Sequence, residues 1–236
     1  MLETLQNLDS QIYLFFNGMH TPFLDNFMMM FTGRFIWVPM YATILFILFK
    51  NFKPSHAIVY TMAIVLTIAF ADQICATYMR PFIGRLRPSH IDNPLSQFSH
   101  LVNGYRGGNY GFPSCHAANS FALATFLAML IRRRRFVVFI MSWAILNSYS
   151  RLYLGVHYPG DLLVGATIGS LIGYAVYIIT QRILSGHHHI VTDDRTMKLP
   201  FVANITDGIL NLRASDTMIG IGAVTVLFII WGAFFG

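Results

Sequence analysis

Three groups able to do chemistry stand close together in Ser150-Arg151-Leu152-Tyr153-Leu154-Gly155-Val156-His157-Tyr158-Pro159-Gly160-Asp161: the Arg151 guanidinium, the His157 imidazole and the Asp161 carboxylate. They sit among apolar runs, where a charged side chain costs about 2.5–3.5 kcal/mol on insertion scales, so they need partners or a polar cavity. Asp161, four residues after His157, is spaced to hold the ring and its tautomer while the other nitrogen acts as nucleophile. Two more clusters carry complementary groups: Arg80-x6-Arg87-Pro88, and Pro113-Ser114-Cys115-His116 at the head of an apolar run. Arginine forks suit phosphate oxygens, Ser114 and the N–H groups of a helix start suit an anion, and His116 offers a second acid or base. A phosphoryl group in transfer needs positive charge on its oxygens, an in-line nucleophile and an acid for the leaving oxygen. Arg80, Arg87 and Arg151, then His157, then His116 meet these needs, with no metal or other cofactor demanded.

The elements that must bring these clusters together are apolar. The 236-residue chain is 55% hydrophobic and 11% charged, far below the roughly 25% charged residues of a soluble domain, and this composition indicates an integral membrane protein. Repeated long apolar runs exclude a lone signal peptide, and the first residues, with Glu3 and Asp9, show no cleavable leader. The net charge of +6 lies largely in flanks of apolar runs, where it sets topology, so nucleic acid is not the expected partner. Cys75 and Cys115 make neither a disulfide framework nor a metal-finger spacing.

Helical periodicity over residues 1–20 predicts an amphipathic interfacial helix, and Thr21-Pro22 restarts the chain with an N-cap and a proline at the first helical position. Apolar runs then predict spans at 35–49, 56–79, 113–131, 136–150, 161–180 and 218–235. The expected fold is therefore all-α, a six-span membrane helix bundle with N-terminal amphipathic helices. Its divisions are interfacial helices over 1–33, a membrane core over 34–183, a polar connector over 184–215 and a last span over 216–236. Gly165, Gly169 and Gly173 form a small-residue face for close helix packing. Ten basic residues fall on one side of this arrangement, Arg132 to Arg135 among them, and six on the other; the ten belong inside. The three reactive clusters then share the outer face of a cytoplasmic membrane, the periplasmic side where there are two membranes, and both termini lie there too.

Together the clusters resemble the signature of the type 2 phosphatidic acid phosphatase superfamily: Lys-x6-Arg-Pro, Pro-Ser-Gly-His, and Ser-Arg-x5-His-x3-Asp. The third cluster matches throughout. Arg80 stands where lysine is usual, keeping the charge but exchanging an ammonium for a planar fork, and Cys115 stands where glycine is usual, adding a side chain near the phosphate backbone approach. The resemblance covers 80–161 directly and, by span order, about 20–180. It implies a membrane lipid phosphatase with His157, His116 and Asp161 catalytic and Arg80, Arg87, Ser114, Cys115 and Arg151 binding phosphate. It further implies a phosphohistidine intermediate, no metal, and a lipid phosphate or diphosphate as substrate. Undecaprenyl diphosphate and phosphatidylglycerophosphate lead, with lipid A 1-phosphate next. Rival readings are phosphotransfer to a lipid or sugar hydroxyl, headgroup transport without bond cleavage, and a vanadate-dependent haloperoxidase. The oligomeric state is left open.

Other polar residues have blander expectations. Arg85 has no motif partner and reads as an interfacial anchor or a secondary headgroup contact; Asp72 reads as polar packing or a partner for a loop cation. Tyr105, Arg106 and Tyr110 lie among glycines, as a lid or a mobile loop would. His187-His188-His189 reads as a solvated loop remote from the chemistry, and Asn204-Ile205-Thr206, a glycosylation sequence, faces inward on this topology.

Overall fold

The computed structural model describes residues 2–186 and 208–235, and among them the fold is all-α. Helix α1 (Leu2–Asn17) and α2 (Pro22–Phe31) precede α3 (Val38–Asn51) and α4 (Pro54–Gln73). A π-helical turn, Ile74–Met79, carries α4 on into the short α5 (Arg80–Ile83), and then α6 (Cys115–Ile131), α7 (Arg134–Tyr153), α8 (Pro159–Gly186) and α9 (Gly208–Phe235) complete the chain. The predicted start of α2 is bonded as expected, Thr21 Oγ1 accepting from Leu24 N at 3.2 Å, whereas Ser114, expected to serve an anion, has its Oγ accepting from Ala117 N at 3.4 Å at the start of α6. The second apolar run outlasts its expected end, because the π turn keeps the helix going until Gly84, whose φ of 65° terminates it. Arg80 therefore sits on a helix that runs past the span end expected at residue 79. The connector after α8, with His187–His189 and the Asn204 sequence, lies outside the described residues.

By length and composition, three helices among the described residues can cross a membrane: 54–83, 159–185 and 215–235, with a fourth if α2 and α3, bent by 67°, make one span. Six were expected. Of the remainder, α6 is apolar but only 17 residues long, and α7 carries arginines at both ends.

The centre of the fold is the contact between α6 and α8. Gly165 and Gly169 lie so close to α6 that a Cβ at either would run into the Ser114 or Ala118 carbonyl oxygen; Ala117, Ala118 and Ala122 keep the facing surface equally small. This approach brings the start of α6 onto the start of α8, where Ser114 N donates to Asp161 O at 3.0 Å. From the middle of the bundle to its opposite end, Trp37, Met40, Phe126, Phe136, Ile140 and Trp143 form a continuous apolar core. The short α3–α4 turn and the arginine-rich α6–α7 turn close that end, with Phe52 against Tyr60 and the Arg132 guanidinium near Tyr177.

Helix α1 is docked by its polar face. Asp9, Tyr13 and Asn17, one turn apart, point inward, while Leu5, Leu8 and Phe15 are exposed. Asn17 donates to Tyr153 O at 2.8 Å and accepts from His100 N at 2.7 Å. Asp25 of α2 then holds His100 at 2.9 Å and accepts from Tyr153 OH at 2.6 Å, so both N-terminal helices are tied to the turn that carries His157.

Candidate active site

His157 follows a tight turn at the end of α7, where Gly155 adopts φ 78° and lets the chain double back to start α8. The turn buries the imidazole completely and lays it against the first turn of α8, whose Asp161 is also fully buried. Asp161 Oδ2 lies 3.2 Å from His157 Nδ1 and also accepts from Tyr158 N at 3.0 Å. On the other side of the ring, Arg87 Nη1 lies 3.0 Å from Nε2. These two partners assign the tautomer: Nδ1–H donates to the carboxylate, and the Nε2 lone pair accepts from the guanidinium. Burial, then the charges of Arg87, Arg151 and Arg80, hold the imidazole's pKa well below its usual value, so the ring is neutral at pH 7.

Arg87 is itself buried, donating to Val156 O and Tyr110 O at 3.1 Å each. Burial, with Arg80 and Arg151 nearby, lowers its pKa to about 10. Arg80 donates to Pro113 O at 3.2 Å, and Arg151 donates to Thr32 Oγ1 at 3.1 Å and Tyr105 OH at 3.0 Å. The three guanidinium groups and His116 line one cavity of about 700 Å³. Cys115 lines it as well, while packing with Cys75 and Ala71, which accommodates a side chain where the signature has glycine.

Not every expected residue faces the cavity. His157 and Asp161 lie behind Arg87, and the Ser114 hydroxyl, fully buried, caps α6. Several contributors were missed from sequence. Arg85, read as an interfacial anchor or a secondary headgroup contact without a motif partner, donates to Asp161 Oδ1 at 3.0 Å and pairs with Asp9 of α1 at 2.7 Å, its guanidinium 3.8 Å from the Tyr158 ring centre. Asp9 also accepts from Gly160 N at 2.7 Å. The 80–112 segment is tied down rather than loose: Arg106 donates to Ser89 O and Ser96 Oγ at 2.6 Å each, and Tyr105 is bonded to Arg151. Arg34, between α2 and α3, adds a fourth cavity cation. Asp72 accepts from Asn119 Nδ2 at 3.1 Å, the polar packing expected of it.

The arrangement can hold a tetrahedral anion among guanidinium groups, with a neutral imidazole behind it and a second imidazole on the cavity wall. Residues 58–185, more than half of the chain, match the model of the PAP2 superfamily. The chain belongs to that superfamily. It is 57% identical over 183 residues to the lipid A 4'-phosphatase of Bacteroides thetaiotaomicron, covering 78% of this chain and 81% of that protein. A lipid A 4'-phosphatase of Porphyromonas gingivalis is 34% identical over 75% of this chain and 74% of its own length. Among solved structures, a transmembrane PAP2-type phosphatidylglycerolphosphate phosphatase from Bacillus subtilis superposes with a TM-score of 0.57 at 21% identity, over 81% of this chain and 90% of that one. With its apolar helices, the chain is a membrane PAP2 protein.

Proposed function

We propose that this protein is a lipid phosphatase that removes phosphate from a lipid A-type glycolipid at the outer face of the cytoplasmic membrane. The observation that carries the reaction is the cavity: three guanidinium groups around one space, His116 on its wall and the His157–Asp161 pair behind Arg87. Similarity to two lipid A 4'-phosphatases moves lipid A's 4'-phosphate ahead of undecaprenyl diphosphate and phosphatidylglycerophosphate, which the motifs alone had placed first.

In this reading the phosphate takes over hydrogen bonds from Arg87, freeing His157 Nε2 to attack phosphorus. The P–N bond forms as the ester P–O bond breaks, and His116, which takes up its proton once the bound phosphate's negative charge offsets the arginines around it, gives that proton to the departing sugar oxygen. Asp161 keeps Nδ1–H oriented and stabilises the charge the ring acquires. Neutral His116 then takes a proton from water, whose oxygen attacks the phosphohistidine; the P–N bond breaks and inorganic phosphate leaves. The scheme needs no metal.

In this reading α2–α3, α4, α6, α7, α8 and α9 are the six spans, and the site faces the outer side. The basic turns at Lys50–Lys53 and Arg132–Arg135 lie at the end remote from the cavity, as the inside bias requires. The exposed apolar face of α1 suits the interfacial placement read from its periodicity.

The test is phosphate release by purified protein in detergent with chelator present, across lipid A, undecaprenyl diphosphate, phosphatidylglycerophosphate and phosphatidic acid. Release from lipid A that disappears in both His157→Ala and His116→Ala supports the reading. Wild type that releases nothing from any lipid, or variants that match it, would sink it.

A further inference from the structure

The cavity is larger than a phosphoryl group needs, and its deeper part is built differently from its mouth. Below His116 on α6 come Asn119 and Ser120, one turn on, and Leu123 after two turns, about 10 Å deeper at about 1.5 Å per residue. Across the space α7 contributes Asn147 and Trp143, and α4 contributes Asp72. Two amides here are half used: Asn119 Nδ2 donates to Asp72 and Asn147 Nδ2 to Ser120 Oγ, the latter at 2.7 Å. Their oxygens, Asn119 Oδ1 and Asn147 Oδ1, are buried without a hydrogen-bond partner, as are the indole Nε1 of Trp143 and the Nε of Arg151. Trp143, Ser120 and Arg151 are each more than nine-tenths buried. Native interiors leave few polar atoms in that condition, and here four belong to residues lining one cavity.

We propose that Asn119, Ser120, Asn147 and Trp143 form a subsite for the hydroxyl and amide groups of a sugar headgroup. The assignment rests on the reading of this protein as a lipid phosphatase and names the part of the substrate that its site grips. Fixed acceptors beside a fixed donor suit groups that both donate and accept, as hydroxyls and amides do, and the Trp37 and Trp143 rings offer flat apolar surface to the C–H face of a pyranose. An acyl chain would leave the amide oxygens and the indole N–H unpaired. A second anion would face the Asp72 carboxylate and two amide oxygens, and a cation would face Arg34, Arg80, Arg87 and Arg151. The order along α6 also fits, since His116 stands between the phosphate's guanidinium groups and the amides, where the bond from phosphate to sugar must lie. Beyond the subsite, Tyr41 of α3 and Ile68 of α4 line the way toward lipid.

The test compares wild type with Asn147→Leu and Trp143→Phe on a phosphorylated glucosamine disaccharide lipid and on phosphatidic acid, which has no sugar. Inhibition by inorganic phosphate is measured beside them. The subsite predicts that kcat/KM on the sugar lipid falls about tenfold to a hundredfold for Asn147→Leu and several-fold for Trp143→Phe. The phosphate inhibition constant and the rate on phosphatidic acid stay within about twofold. Sugar-lipid kinetics unchanged in both variants would remove the subsite and leave the phosphatase standing, and a parallel loss of phosphate binding would reassign these residues to packing. Wild type that releases phosphate from neither lipid removes the phosphatase reading, and the subsite with it.

Discussion

His157 is coupled to everything that could switch it on or off. Its Nδ1 faces Asp161, its Nε2 faces Arg87, and no part of it reaches solvent. In the proposed mechanism His157 is the nucleophile, so His157→Ala is expected to lower kcat by about a thousandfold or more, read as phosphate release. Its protonation also couples to folding. The unfolded ring titrates at about 6.5, and in the folded protein burial and three arginines hold the pKa lower. Between those two values the unfolded chain binds a proton that the folded one refuses, so the ring's contribution to stability is complete above pH 6.5 and declines as pH falls below it. The thermal midpoint of wild type in detergent should therefore drop between about pH 7 and pH 5, and that of His157→Gln should drop less. Equal slopes would mean that the ring is charged in the folded protein.

Elements make this residue geometry possible, and two contacts between them can be cut separately. The first is the seam of α6 and α8. A side chain at Gly169 would strike the Ala118 carbonyl, which is backbone and has nowhere to go, so Gly169→Leu should cost about 3 kcal/mol or more. Gly220, with nothing within 4 Å of a Cβ, should tolerate alanine; a shared loss of thermal midpoint would deny the seam its role. The second is the dock of α1. Asp9 holds Arg85, and Arg85 holds the Asp161 oxygen that His157 does not use. Asp9→Asn keeps an acceptor for Gly160 N but loses the charge, and is expected to lower kcat about tenfold while expression and thermal midpoint hold; an unaffected kcat would make α1 merely a brace. This dock was not legible in sequence. The regularity of Leu5, Leu8 and Phe15 marks α1 as amphipathic, but not that its polar stripe is the buried one, since a membrane reverses the usual sense of inside and outside. Arg85 was opaque for a related reason: its carboxylates stand 76 residues after it and at Asp9 before it, and no local spacing announces either. By contrast, the cap at Thr21 and the His157–Asp161 pair rest on local offsets of three and four residues, and were readable.

At the scale of the whole molecule, charge and cavity lie at opposite ends. Arginines at the mouth bind oxygens or carbonyls and are drawn inward, whereas Arg134 and Arg135, at the far turn, are exposed. An exposed cluster of this kind resists translocation, whereas cations engaged by partners do not carry the same hydration into the topogenic decision. Of the six spans expected from apolar runs, only three or four stand out by helix length and composition among the described residues, since α6 is short and α7 carries arginines at both ends, Arg151 at the site among them; function here dilutes the hydropathy signal. Accessibility decides the matter without reference to activity. Cysteine placed at Ile91, exposed on the cavity side, should react with a membrane-impermeant thiol reagent in cells whose outer barrier alone is opened, whereas cysteine at Arg135 should react only after the inner membrane is permeabilised. The native Cys75 and Cys115 are both buried and set a low background. The reverse labelling pattern would put the cavity inside the cell, and labelling at both positions would break the odd number of crossings between Ile91 and Arg135 on which the six-span arrangement depends.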